Sequence, residues 1–229
     1  MILWLYRAAR FLFMVVFALL YRWDVRGREH IPARGPVLVC ANHIHGWDPP
    51  LVGAVITRPV FFMAKEELFR YPVLGTLLAK VGAFPVRRGT PDRRALKTAL
   101  DLLASGKVVG LFPEGTRSRD GRLRSAEPGA ALLAVRSRAK VVPVAVVGPY
   151  RFFRPIRVRI GEPFELTEYY DRRLSNDALS EAGARIMERI RRLLPPEAGP
   201  AADRSDPPAA PARIVESEGG GRRELPGRS

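Results

Sequence analysis

Asn42-His43-Ile44-His45-Gly46-Trp47-Asp48-Pro49-Pro50 carries the side chains in this sequence best suited to chemistry. It follows the apolar run Val37–Ala41, so it reads as a strand ending in a loop, and Asp48-Pro49 resembles an N-cap with proline at the first helical position. On a continuous helix, residues five apart are rotated by about 140°. A strand-to-helix turn instead lets the chain fold back, so that the Asp48 carboxylate can reach the His43 imidazole. A carboxylate accepting from one ring nitrogen fixes the tautomer and leaves the other nitrogen as a base. Such a pair is suited to taking a proton from a hydroxyl or thiol. Two other readings stay open. One is a buried histidine that closes a turn. The other is a metal site, because His43-x-His45-x-x-Asp48 loosely resembles part of a binuclear hydrolase motif; that site would need more histidines downstream, and none follows His45.

A second constellation has the same form: Val108–Phe112, a strand candidate, runs into Pro113-Glu114-Gly115-Thr116-Arg117-Ser118. Backbone N–H groups exposed at a glycine, two hydroxyls and an arginine suit a phosphate, although the same residues also make an ordinary turn. In open α/β sheets, ligands gather beyond the carboxyl ends of strands, so the two loops are expected to face one cleft. Two weaker signals accompany them. Gly82-Ala83-Phe84-Pro85-Val86-Arg87-Arg88-Gly89 places two cations just after a strand candidate. Val142-Pro143-Val144 puts a proline inside an apolar run, which predicts an edge or bulge with an exposed apolar wall.

The elements that would position these loops follow from the apolar pattern. Strands are predicted at Val37–Ala41, Val60–Met63, Val81–Val86, Val108–Phe112, Val141–Val147 and Ile156–Ile160. Residues 92–105 place Ala95, Leu96, Ala99, Leu100 and Leu103 on one helical face, with Gly106 as a stop. A last helix is predicted from Asp177 to Leu194, with Asn176 as N-cap and Pro195-Pro196 as its stop. Strands alternating with helices argue an α/β fold: a mostly parallel central sheet flanked by helices.

The chain divides into an N-terminal helix over 1–24, a domain over 25–194, and a Pro/Gly/Ala-rich segment over 195–229 that is too polar to fold and is expected to be disordered. The uninterrupted apolar run Phe11–Tyr21 is short for a bilayer core of about 30 Å. Including residues 1–10 gives the length but brings in Arg7 and Arg10. Trp4, Tyr6, Tyr21 and Trp23 lie towards the ends, where amphipathic rings favour the headgroup level. A helix lying in one leaflet is therefore expected. A core helix is the alternative, and a secretory signal fits less well because Tyr21-Arg22-Trp23-Asp24 stands where a small-residue cleavage site belongs.

Composition narrows the class. Of 229 residues, 47% are hydrophobic and 27% charged, a globular balance. One cysteine, Cys40, excludes a disulfide scaffold or multi-cysteine metal site, and it reads as a small core residue. The formal charge of +15 favours polyanionic partners, whether anionic lipid, phosphorylated substrate or nucleic acid, or else reflects a solvated arginine-rich surface.

In order and spacing, Asn42-His43-x4-Asp48, Gly82–Arg88, Phe112-Pro113-Glu114-Gly115-Thr116-Arg117-Ser118 and Val142-Pro143-Val144 together resemble the glycerolipid acyltransferase family, specifically its bacterial 1-acyl-glycerol-3-phosphate acyltransferases. Lys65-Glu66-Glu67-Leu68 is similar to a Lys-x-Glu-Leu segment found between the first two blocks. The resemblance covers about residues 25–165. It implies that His43 is the general base and Asp48 its orienting partner, with acyl transfer from acyl-CoA or acyl carrier protein to the free hydroxyl of 1-acyl-glycerol 3-phosphate, giving phosphatidic acid. By the same resemblance Arg88, Glu114, Gly115, Thr116 and Arg117 bind the glycerol phosphate with Lys65 nearby, Val142, Pro143 and Val144 line the acyl side, and no metal or redox cofactor takes part. A peripheral or monotopic place on the cytoplasmic face of the inner membrane is expected. The alternatives are another acceptor (glycerol 3-phosphate, a different lysophospholipid or a glycolipid) and, from another class, a non-catalytic lipid- or nucleic-acid-binding basic module. Neither a helix-turn-helix signature nor interleaved RNA-binding aromatics occur, so no nucleic acid is expected.

Overall fold

The computed structural model describes residues 1–87, 89–118 and 120–196. Among these residues the strands are β1 (Asp24–Arg26), β2 (Val37–Ala41), β3 (Val60–Lys65), β4 (Phe84–Val86), β5 (Val108–Leu111), β6 (Lys140–Val147) and β7 (Arg157–Ile160). They form one sheet in the order β1-β7-β6-β2-β5-β3-β4. Every neighbouring pair is parallel except β6–β7. The helices are α1 (Leu3–Leu20), α2 (Asp48–Val55), α3 (Pro72–Lys80), α4 (Arg93–Ala104), α5 (Pro128–Ser137) and α6 (Asn176–Arg191).

Strand alternation sorts the apolar side chains into two layers. Leu38 and Cys40 of β2 join Val109, Leu111 and Val141 under Leu103 of α4, Leu133 of α5 and Ile186 of α6. Val37, Val39 and Ala41 join Val142, Val144 and Val146 on the opposite face, under Phe17 of α1 and Leu51 and Val52 of α2. The mostly parallel α/β sandwich expected from the sequence is thus the observed one, and β2, at its centre, is buried on both faces. Burial also pushes the Cys40 thiol far up, so it is an inert core group.

Several boundaries differ from expectation for identifiable reasons. Val81–Ala83 is not strand. It closes α3, with the Val81 N–H donating to Leu77 and the Ala83 N–H to Leu78, and Gly82 at φ 97° making the reversal. The N-cap of α6 is Ser175, whose hydroxyl accepts from the Ala178 N–H, one residue before the expected Asn176.

Pro143 marks neither an edge nor an exposed wall. Strand β6 lies inside the sheet, and Val142, Pro143 and Val144 are all buried. Val144 is opposite Ile160, so Pro143 is opposite Gly161, just beyond the end of β7. The Gly161 N–H donates to the Pro143 carbonyl at 2.9 Å. The proline nitrogen faces the same side, where two residues of β6, 142 and 143, stand opposite three, 161–163, before pairing resumes at Val141 and Phe164, so the proline sits at a bulge, the other of the two expected placements.

Candidate active site

The carboxyl ends of β2 and β5 adjoin because the strands are parallel and paired from Val37–Val108 to Cys40–Leu111. Each then releases a loop on the same rim of the sheet. The two loops are clamped together: the His43 N–H donates to Glu114 Oε1 at 2.9 Å, and the Ser118 N–H donates to the His43 carbonyl at 2.7 Å. Asn42 anchors the first loop to β6, donating to the Val146 carbonyl and accepting from the Val146 N–H at 2.7 Å.

Within this frame Nδ1 of His43 lies 2.8 Å from Asp48 Oδ2. The same oxygen accepts the N–H groups of Ile44 and His45, each at 2.7 Å. Asp48 is the first residue of α2, with Trp47 as the cap residue, so it closes the loop behind it rather than capping the helix ahead. Its other oxygen, Oδ1, accepts the hydroxyl of Tyr150 at 2.6 Å. Burial, the Asp48 charge and that hydrogen bond all push the Tyr150 phenol up, so it stays a donor. The carboxylate is fully buried and surrounded by donors, which holds His43 with Nδ1 inward and leaves Nε2 as the basic atom. One face of the imidazole stacks on Phe112, centroid to centroid 4.1 Å. Phe112 in turn packs on Phe62, which occupies the space a side chain on Gly110 would fill.

The remaining predicted residues do not all gather at this pair. Glu114 is buried at the clamp, with Oε1 on His43 N–H and Oε2 accepting from the Arg124 N–H at 3.1 Å. Burial raises this carboxyl above its ordinary range, while the two N–H groups draw it back down. Its geometry is that of a brace between loops. Gly115 turns at φ 66°, and a β-carbon there would meet Glu127 Cγ at 2.8 Å. Thr116 and Arg117 are exposed beyond it, and Arg117 reaches to the first loop, with Nη1 3.8 Å from where a side chain on Gly46 would begin. Lys65 ends β3, one strand beyond β5, and pairs with Glu67 at 3.2 Å. Arg88 lies outside the described residues, as does the expected tail apart from Pro195 and Pro196. Val142 and Val144 belong to the core under α2 rather than to the cleft. No cluster of three or more potential metal ligands occurs among the described residues.

Sequence spacing does not reveal Asn42 as an anchor or Tyr150 as a fourth donor to Asp48. Tyr150 is 102 residues from Asp48 and becomes its neighbour only because β6 lies beside β2.

A buried imidazole–carboxylate pair at the carboxyl rim of a mostly parallel sheet, with an arginine-bearing turn beside it, is the arrangement of an α/β enzyme that could use an imidazole as general base. An acyltransferase family profile matches residues 22–147. The 1-acyl-sn-glycerol-3-phosphate acyltransferase of Bacillus subtilis is 35% identical over 153 residues, covering 63% of this chain and 75% of the relative. A lyso-ornithine lipid O-acyltransferase of Pseudomonas aeruginosa is also 35% identical, covering 54% of this chain and 47% of that protein. Among solved structures, the 1-acyl-sn-glycerophosphate acyltransferase PlsC of Thermotoga maritima superposes with a TM-score of 0.66 at 26% identity, over 82% of this chain and 79% of its own. The chain belongs to the acyltransferase family and is an O-acyltransferase.

Proposed function

We propose that this enzyme acylates the free hydroxyl of 1-acyl-glycerol 3-phosphate, with an acyl thioester of CoA or acyl carrier protein as donor, to give phosphatidic acid. The observation that carries the reading is the His43–Asp48 pair, held at 2.8 Å, with no partner for Nε2 among the described residues, on the rim that also carries Arg117. Nε2 takes the proton of the acceptor hydroxyl as its oxygen bonds to the thioester carbonyl carbon. The C–S bond then breaks, and the imidazolium returns the proton to the departing thiolate. Asp48 stabilises the imidazolium between these steps. Arg117, with the N–H groups of the Gly115–Thr116 turn, supplies the positive field for the acceptor phosphate. Arg88 and Lys65 extend that field by family resemblance.

The acceptor is a membrane lipid, and α1 is the element suited to reach it. It is the one helix among the described residues long and apolar enough to cross a membrane by length and composition. Yet it is tied along the body: the Ile2 N–H donates to Lys80, the Tyr6 hydroxyl to Gly53, and Phe17 is buried. Its outer face, including Trp4 and Phe11, remains exposed, as do Val73 and Leu77 of α3. A helix fixed lengthwise to the domain lies in one leaflet and does not stand across the bilayer. We place the enzyme at the cytoplasmic face of the inner membrane, where acyl thioesters are available.

The test is thiol release from acyl-CoA, with and without lysophosphatidic acid, for the wild type, His43→Ala and Arg117→Ala. Acceptor-dependent release that His43→Ala abolishes and Arg117→Ala weakens through a higher KM is the expected result. Release that prefers a zwitterionic lysolipid or lyso-ornithine lipid over lysophosphatidic acid would overturn the choice of acceptor, and undiminished release by His43→Ala would overturn the mechanism.

A further inference from the structure

The segment after Tyr150 has a composition unlike the rest of the surface. Between Gly148 and Gly161 it contains Arg151, Arg154, Arg157 and Arg159 and no acidic residue. Phe152 and Phe153 stand at its tip with 63% and 72% of their surface exposed. A soluble protein gains nothing from two adjacent exposed phenylalanines, and Phe153 adopts φ 62°, an unfavourable conformation for an aromatic residue. The conformation is held by its own N–H, which donates to the Leu20 carbonyl at the end of α1 at 2.8 Å. Phe152 stacks on Tyr21, 5.9 Å between centroids. The tip is thereby placed at the carboxyl end of α1, whose Leu19 is itself 71% exposed and Leu20 37% exposed. Arg22, Arg151 and Arg154 are exposed around it. A cavity of about 520 Å³, lined by Ala18, Tyr21, Arg22, Trp23 and Pro155, opens between the loop and the helix.

We infer that the loop 151–154 is a second bilayer contact, separate from α1, in which Phe152 and Phe153 enter the interface while Arg22, Arg151 and Arg154 engage anionic headgroups. Aromatic rings between arginines match the chemistry of a negatively charged lipid surface: apolar at the acyl boundary, anionic at the headgroups. The contact adjoins the site directly, because Tyr150, one residue before the loop, holds Asp48. The inference rests on the proposed lipid acceptor only for its kinetic consequence; binding to a bilayer is read independently.

Two variants of the full chain test it: Phe152→Ser with Phe153→Asn, asparagine being tolerant of the left-handed conformation, and Arg151→Gln with Arg154→Gln. Co-sedimentation with phosphatidylcholine vesicles, with and without roughly 30 mol% phosphatidylglycerol to supply a negative surface potential, reads the partition coefficient. The aromatic variant is expected to bind both vesicles about tenfold more weakly. The arginine variant is expected to lose about fivefold per charge, only on anionic vesicles and only at low salt. Turnover of a short-chain, monomeric lysophosphatidic acid should stay at the wild-type level in both, while turnover of vesicle-borne acceptor falls. Wild-type partitioning by both variants overturns the inference. So does equal loss of turnover on monomeric and vesicle-borne acceptor without a change in partitioning, which would make the loop part of the active site. If the wild type acylates no lysophosphatidic acid at all, the proposed acceptor fails, and the partitioning result still decides the contact.

Discussion

The substitution Asp48→Asn separates charge from geometry at the proposed catalytic pair. Oδ2 receives three donors, from His43 Nδ1 and the N–H groups of Ile44 and His45, whereas Oδ1 receives only the Tyr150 hydroxyl. An amide NH2 on the Oδ2 side would face two backbone donors that cannot reverse, while on the Oδ1 side it meets a hydroxyl that can turn to accept. The introduced asparagine therefore keeps its carbonyl oxygen towards His43, and the imidazole keeps its tautomer. What disappears is the negative charge opposite the imidazolium. With charge centres roughly 4 Å apart and an effective dielectric of about 20, that attraction amounts to about 4 kcal/mol, or on the order of 10³-fold in kcat. The assay is thiol release at saturating acceptor, paired with a thermal melt. The expected outcome is kcat about 10³ lower with Tm within a few degrees of wild type. A loss below tenfold would refute stabilisation of an imidazolium by Asp48. A collapse in Tm would refute the claim that an oxygen, rather than a charge, suffices to hold the loop.

Three further outcomes follow from the same geometry. Tyr150→Phe leaves Asp48 Oδ1 buried without its donor, which loosens the hold of the carboxylate on His43, so kcat should fall about tenfold with KM unchanged; a change in KM alone would count against action through Asp48. Gly115→Ala forces a side chain into φ 66° and against Glu127; it should cost about 1–2 kcal/mol from the conformation alone and raise KM for the acceptor, and an unaltered Tm and KM would show that the turn is not rigid. Asp92 caps α4, accepting from the N–H groups of Arg94 and Ala95, so Asp92→Ala should cost about 1 kcal/mol by chemical denaturation at neutral pH. The Ala95 N–H, followed by that of Arg87, holds the Asp92 carboxyl below its ordinary range. This contribution is therefore present above the ordinary aspartate range and lost as pH falls through the depressed value. The stability gap between wild type and variant should close on acidification, and a gap that widens would be contrary to a charged cap.

Legibility in the sequence follows the strength of the local signal. Strand β2 is readable residue for residue because a strand buried on both faces is a continuous apolar run. The amphipathic face of α4 and its stop at Gly106 are equally plain. Strand β1 is invisible: three residues, two of them charged, acquire their conformation only by pairing with β7. Helix α3 is obscured because its apolar residues Val73, Leu74 and Leu77 face outward, so no polar stripe marks its surface. At the site, the His43–Asp48 contact is legible because both partners lie in one loop. Glu114 is recognisable as important, but not as a brace, because what its oxygens accept depends on how β5 sits against β2. For Pro143 the local pattern allows an edge or a bulge and cannot choose between them. The choice depends on where β7 stops, and the wall is buried rather than exposed.

The first strand closes the far edge of the sheet against the last, with Arg159 donating to Asp24 across a separation of 135 residues. During synthesis this imposes a waiting time. At roughly 5–20 residues per second, about 7 to 27 seconds pass between the emergence of Asp24 and that of its partner. Throughout that interval α1 has left the ribosome, but neither β7 nor the loop that ties down its end yet exists. The nascent chain therefore carries α1 with its end untied well before its own catalytic domain can fold. On the membrane placement proposed above, anchoring precedes folding, and the acyltransferase domain assembles on a helix already at the lipid surface.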